Sequence, residues 1–396
     1  MACPCCWFPP TTYRALRGYM ERKPMSEEAR ALYADMGATP VINALGPRTL
    51  LGGSSPHPDI IAAMELAGRY YVDMDAFLAS TGRIVADLLG AEAALITPGC
   101  AAALVLGTAA CITGADPEKM ACLPDTTGMT NQVVIQKAQR YKYDRMVRLP
   151  GVTLVEAGTE QGTTADELAA AIGPQTAALL YPAIDVEADI VPLADAIDIA
   201  HAHNVPVFVD AAFRVYPLDG LTRYIAAGAD LVGYGAKYVG APNSSGILCG
   251  RADLITAAHL HSFACFETRD IEGVGRPLKI DRQEVVGVVL ALRRWLAMDH
   301  DARNQSDTRR AETVRQHLGE LSHVQSSVNG ASLTLTLDEQ ALGRSAAEIE
   351  ITLRNGNPSV WLSTAPGQLH LSMPTVADGD EELLAARVRE VLGLGG

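Results

Sequence analysis

The stretch GYGAKYVGAPNSSGILCG, residues 233–250, sets Lys237 between two glycine-bearing apolar runs. It follows Ala229-Asp230-Leu231-Val232 and ends in a second apolar run, so the lysine falls in the connection between two buried strands. A lysine there is either a surface charge on a turn or an amine held inside a site. The sequence around it weighs the two readings.

Upstream, Pro206-Val207-Phe208-Val209-Asp210 reads as a buried strand that closes on an acid. Ala94 to Thr97 reads as another strand, Pro98-Gly99 as a turn, and Cys100 to Ile112 as an alanine-rich helix ended by Gly114. Strands are also expected at 153–156 and 177–181, with helices over 165–172, 193–203 and 218–227. Short apolar runs alternating with amphipathic helices specify an α/β fold, a mostly parallel sheet with helices on both faces. In such sheets ligands bind at the carboxyl ends of the strands. After about residue 280 the texture changes to two long helices, the alternating Ser332-Leu333-Thr334-Leu335-Thr336-Leu337, two short strands and a closing helix, which is a smaller α+β domain. The expected division is an N-terminal arm over 1–45, a large domain over 46–280 and a small C-terminal domain over 281–396.

Composition narrows the function classes. The chain has 396 residues, 48% hydrophobic and 20% charged, with 46 acidic against 32 basic side chains for a net charge of −14. That balance suits a globular protein and disfavours a broad nucleic-acid or membrane surface. The start lacks the apolar core of a signal peptide and no apolar run is long enough to span a bilayer, so a cytoplasmic location is expected. Of the eight cysteines, Cys100, Cys111, Cys122, Cys249 and Cys265 lie within or beside apolar stretches and read as buried reduced thiols. Cys3, Cys5 and Cys6 have no matching Cys/His pair at ligand spacing, so no metal is expected.

An acid at the end of a buried strand needs a partner or a task, because desolvating an unpaired carboxylate is costly. A right-handed crossover brings the ends of the Asp210 and Lys237 strands together. Those two residues alone are also what a salt bridge needs. The third element is Thr97-Pro98-Gly99-Cys100-Ala101-Ala102-Ala103, a strand, glycine turn and helix start of small residues, where free amides and the helix dipole receive a phosphate. A phosphate cradle at Gly99, Cys100 and Ala101, an amine and a buried acid match the needs of pyridoxal 5'-phosphate (PLP), whose aldehyde takes the lysine and whose ring nitrogen takes the acid.

At this point the chain resembles the fold type I PLP-dependent enzymes related to bacterial selenocysteine synthase (seryl-tRNA selenium transferase) and D-glucosaminate-6-phosphate ammonia-lyase. Six stretches carry the resemblance: GATPVINALGPRTLLGGS (37–54), LGAEAALITPGCAAAL (89–104), LPDTTGMTNQVVIQKAQRYKYD (123–144), VPVFVDAAF (205–213), the lysine stretch, and GVGRPLKIDRQEVVG (273–287). The resemblance implies that Lys237 is the Schiff-base lysine and Asp210 the partner of the pyridine nitrogen. It makes Arg276 and Lys279 candidates for anchoring a substrate carboxylate or phosphate, with a solvated helix-capping loop as the alternative. Asn43 and Gly46 resemble the family's site entrance. Ser244 and Ser245 are candidates to reach a phosphate or, alternatively, to build a turn. Relatives carry a Ser-Gly-Gly-Lys type of sequence where this chain has Tyr234-Gly235-Ala236-Lys237, a Gly-His-Arg where it has Ala138-Gln139-Arg140, and a neutral polar residue where it has Arg214. Gln139 thus takes the histidine's place beside the cofactor, without its chemistry.

The expected activity is a PLP-dependent lyase on a small amino acid or amino sugar acid, with α-proton abstraction by Lys237 followed by α,β-elimination or β-replacement. A racemase or epimerase, an aminotransferase, and a non-catalytic scaffold on a degenerate PLP fold remain open at this stage. The family implies a homodimer or higher homo-oligomer. The short arm and the negative charge argue against tRNA as a partner.

Overall fold

The computed structural model describes residues 26–393. Cys3, Cys5 and Cys6 lie outside the described residues. Two compact units form, one over Pro58–Leu296 and the other from residues 26–57 with 297–393.

The larger unit is built on a seven-stranded sheet of β1 (Ala93–Thr97), β2 (Gln132–Gln136), β3 (Thr153–Ala157), β4 (Thr176–Pro182), β5 (Val207–Asp210), β6 (Leu231–Gly235) and β7 (Gly246–Gly250). Their order is β1-β7-β6-β5-β4-β2-β3. Six strands run one way, and β7 is antiparallel to both of its neighbours. Every residue of β4 and β5 is buried, which is why these segments read as continuous apolar runs with no alternation. The helix Cys100–Thr113 covers the middle of the sheet, chiefly β6 and β7, and its small residues allow the close approach. At Gly107 a β-carbon would come within 2.5 Å of the Phe208 ring.

The sequence left the helix Met74–Leu89 and the strand β2 unassigned. The helix is marked by Asp73 at its start, whose side chain accepts from the Ala76 amide at 3.1 Å, and by the left-handed Gly90 at its end. Leu78, Val85, Ala86 and Leu89 form its buried face. Helix Arg282–Ala297 packs with this unit, although the sequence-based division began the small domain at residue 281. Its Val285, Val288, Ala291 and Leu292 belong to the same apolar core as the sheet.

In the smaller unit, strands Ser363–Ala365, Gln368–Ser372, Ser332–Leu337 and Val324–Asn329 form an antiparallel sheet in that order. The alternating SLTLTL buries Leu333, Leu335 and Leu337. Val41–Asn43, expected within a separate arm, pairs in parallel with Ser359–Trp361. Among the described residues no helix is long and apolar enough to cross a membrane. The five described cysteines are free, and Cys122 is exposed, unlike the buried state expected for it, because it lies at the end of the short surface helix Pro117–Cys122.

Candidate active site

Six strands end on one edge of the large sheet, and β7 begins there. Gly246 pairs with Thr97 of β1 and Gly235 of β6, while Asp210 pairs with Gly233 and with Pro182. The registers bring the Gly99 turn, Asp210 and the Lys237 turn to that edge.

The Gly99 turn comes first. Gly99 adopts φ +88° and ψ 162°, a backbone region open essentially to glycine. The helix ladder starts with Ala103 N–H on Gly99 O at 3.2 Å, which leaves the amides of Cys100, Ala101 and Ala102 ahead of it at the positive end of a fourteen-residue helix. Gly246 lies against this turn. A β-carbon there would stand 2.4 Å from the Gly99 carbonyl carbon and 2.6 Å from the Cys100 nitrogen. Gly246→Ala is therefore expected to push the turn out of shape, costing about 1–3 kcal/mol of stability. It should also weaken phosphate binding, read by thermal melting together with a PLP titration.

Asp210 is 7% exposed. Its Oδ1 accepts from the Cys100 thiol at 3.5 Å and from the Ala212 amide at 3.1 Å, and its Oδ2 accepts from the Tyr141 hydroxyl. Burial pushes the Asp210 carboxyl above its usual range, and the donors pull against that rise. Burial and the Asp210 charge push the Cys100 thiol and the Tyr141 phenol well up, so both stay protonated at neutral pH and donate. Neither contact was anticipated from sequence. From sequence Cys100 offers only its backbone amide, and Tyr141, two residues beyond Gln139, carries no local signal of its own.

Lys237 lies in the 3₁₀ turn Ala236–Val239, closed by the left-handed Gly240. Ala236 N–H donates to Ser245 O at 3.0 Å and Ala241 N–H to Ala236 O at 3.1 Å, which ties the lysine turn to the start of β7. The Lys237 ammonium stands 5.1 Å from the Tyr238 ring centroid, and that ring meets Phe213 edge-on at 6.4 Å.

Nothing among the protein-family models matches the chain. Individual proteins do. It is 32% identical to a 5'-C-glycyluridine monooxygenase-decarboxylase of Streptomyces sp. over 91% of this chain and 92% of the relative. It is 31% identical to D-glucosaminate-6-phosphate ammonia lyase of Salmonella typhimurium over 91% and 97%. A solved structure of D-glucosaminate-6-phosphate ammonia-lyase superposes with a TM-score of 0.80 at 30% identity, covering 91% of this chain and 98% of that one. The chain belongs to the fold type I PLP-dependent family of D-glucosaminate-6-phosphate ammonia lyase. The L-seryl-tRNA(Sec) selenium transferase of Moorella thermoacetica is a further relative at 26%, over 93% of this chain and 85% of the other.

The edge suits the family's cofactor. A glycine turn whose close approach a single β-carbon would block, helix amides ahead of their ladder and a buried acid are what a phosphate and a protonated ring nitrogen require. Other residues singled out in the sequence are engaged elsewhere. Gln139 is fully buried, its Nε2 donating to Pro182 O at 2.9 Å and its Oε1 accepting from Gln136 at 3.1 Å, so its amide braces the ends of β2 and β4. The buried Ser245 donates to Pro242 O at 2.6 Å within its turn, and the exposed Ser244 donates to Glu284. Arg276 pairs with Glu267 at 2.7 Å, and Lys279 is exposed. Arg214 donates to Ala183 O at 2.7 Å, pairs with the exposed Asp185 at 2.7 Å and stacks on Phe213. Asn43, in the smaller unit, closes its own turn with Gly46 O at 3.1 Å and the Leu45 amide at 3.0 Å.

One group in the larger unit has the composition of a metal site. Asp75, His259 and Cys265 place ligand atoms within 4.8 Å of one another. The Arg269 guanidinium bridges both Asp75 oxygens at 2.8 and 3.2 Å, so a cation of the protein already occupies that carboxylate.

Proposed function

We propose that this PLP-dependent enzyme is a lyase that removes the α-proton of a small amino acid or amino sugar acid and expels a β-substituent. The observation that carries the reading is the buried Asp210 beside the Gly99 turn, in register with Gly233 four residues before Lys237. In this reading the amides of Cys100 and Ala101 hold the cofactor phosphate, Gly99 gives them their approach, Asp210 holds the ring nitrogen and Lys237 holds the aldehyde carbon. When bound, PLP supplies an electron sink for the charge left on the substrate carbon.

The chain's own groups do the rest. Once the substrate's own amine has taken its place on the aldehyde carbon, the free Lys237 Nζ would take the proton from the carbon that carries that amine, and it can return that proton to the leaving group. Asp210, anionic and fixed by three donors, keeps positive charge on the ring side of the site. Arg276 and Lys279 are our candidates for the substrate's acidic group. Glu267, the partner of Arg276, is more than half exposed, so an anionic substrate displaces it at little cost. The −14 charge favours a small-molecule substrate over a nucleic acid, and we place the enzyme in the cytoplasm as a homodimer.

The test is a substrate screen on the PLP-loaded protein for ammonia and keto acid, starting with phosphorylated amino sugar acids and small β-substituted amino acids. Release of both from one substrate supports the lyase. The Streptomyces relative is named for monooxygenation and decarboxylation, so oxygen uptake with carbon dioxide release, and no elimination product, would favour that second reading. A chain that takes up no PLP would overturn both.

A further inference from the structure

An ionised carboxylate offers about four lone-pair sites, two on each oxygen. In Asp210 both sites of Oδ1 are used, one by the Cys100 thiol at 3.5 Å and one by the Ala212 amide at 3.1 Å. Oδ2 accepts from the Tyr141 hydroxyl and has one site left. Any further donor that Asp210 takes must therefore share Oδ2 with Tyr141. Three separate elements supply these donors. Cys100 opens the helix after β1, Ala212 follows Asp210 itself, and Tyr141 comes from the segment after β2.

Tyr141 is itself held in place. Its amide donates to Asp144 Oδ2 at 3.1 Å, and Asp144 is clamped by Arg140 Nε at 2.5 Å. Arg140 also pairs with Glu156 on β3, where Lys137 stands 3.7 Å away. The Tyr141 ring meets Tyr143 edge-on at 6.0 Å. The backbone that carries the hydroxyl is thus anchored by an ion-pair network outside the pocket, while the hydroxyl reaches in to the acid.

We propose that Tyr141 is a positioning residue that sets the proton affinity of Asp210 Oδ2, and so decides how completely a pyridine nitrogen bound there keeps its proton. A donor on a carboxylate oxygen stabilises the charged form and makes that oxygen a weaker base. With the Tyr141 hydroxyl in place, the shared proton stays on the nitrogen. Without it, Oδ2 becomes the stronger base and draws the proton toward itself. Among the described residues, the titratable groups set against Asp210 are Cys100 and Tyr141, with Asp144 behind Tyr141. Of these, Tyr141 alone donates to Oδ2.

The proposal rests on the cofactor reading above, and the experiment separates the two. Full-length protein is loaded with PLP carrying ¹⁵N in the ring, and the nitrogen resonance is followed against pH in wild type, Tyr141→Phe, Tyr141→His and Tyr143→Phe. Wild type and Tyr143→Phe are expected to hold the resonance at the protonated position across neutral pH. Tyr141→Phe is expected to move it part-way to the unprotonated position and to raise the PLP dissociation constant about tenfold. Tyr141→His, which restores a donor, is expected to recover part of the shift. A resonance in Tyr141→Phe that matches wild type at every pH overturns the role given to Tyr141 and leaves the cofactor reading standing. A wild-type chain that takes up no PLP overturns the cofactor reading and this one with it. Circular dichroism and melting of each variant exclude a resonance change that comes from misfolding.

Discussion

Lys237→Ala is expected to lower turnover by about 10³-fold or more and to leave the fold standing. The turn that carries the lysine is held by backbone bonds, Gly240 N–H to Lys237 O at 3.1 Å and Ala236 N–H to Ser245 O at 3.0 Å, and these do not use its side chain. The substitution removes a cation–π contact with Tyr238, which is worth about 0.5–1 kcal/mol at a partly exposed site. Two readouts check the assignment. Borohydride treatment of the PLP-loaded wild type should leave the cofactor's mass on the peptide that contains residue 237, and the variant's peptide should be unmodified. A small primary amine in the assay should restore part of the variant's turnover, because it replaces the missing base. Turnover within tenfold of wild type would move the base to another residue.

Asp210→Asn is the second large effect, and here activity and stability are expected to separate. Removing the charge opposite a protonated ring nitrogen would cost about 3–5 kcal/mol, so turnover should fall roughly 10²- to 10⁴-fold. Stability runs the other way. Burial raises the folded-state carboxyl above its unfolded value of about 3.9, so the folded chain binds the proton more tightly than the unfolded one. Stability is then lost as pH rises through the window between those two values, and the loss persists at neutral pH. Asparagine carries no such penalty. The cofactor-free variant should melt at or above wild type at pH 7, and its advantage should shrink as pH falls toward about 4. A melting point well below wild type at pH 7 would show that the charge of Asp210 holds the apoprotein together, contrary to this account.

The apolar rhythm made the sheet legible. Fully buried runs such as VFVD and TAALLYP are spaced by amphipathic helices, and a chain with that rhythm has few ways to hide both faces of its strands. The glycine turn at Gly99 and the acid closing β5 were readable for a local reason, since each is a residue type whose place follows from its own backbone or desolvation cost. The helix Met74–Leu89 was missed although its cap at Asp73 and its stop at Gly90 are local signals. The pairing of Val41–Asn43 with Ser359–Trp361 was out of reach, because nothing near either segment specifies the other.

The candidate site divides along the same line. By itself the sequence determined which candidate residues fall at the ends of strands: Gly99 with its helix, Asp210 and Lys237. Each is announced by its immediate neighbours in the chain. Only the tertiary structure decided that Gln139 spends its amide bracing β2 and β4, and that Tyr141 and the Cys100 thiol converge on Asp210. Those assignments depend on strand order and on side-chain direction across elements 110 and 69 residues apart. A side chain's hydrogen-bond partner is set by where the fold places its neighbours, and periodicity along the chain does not encode that.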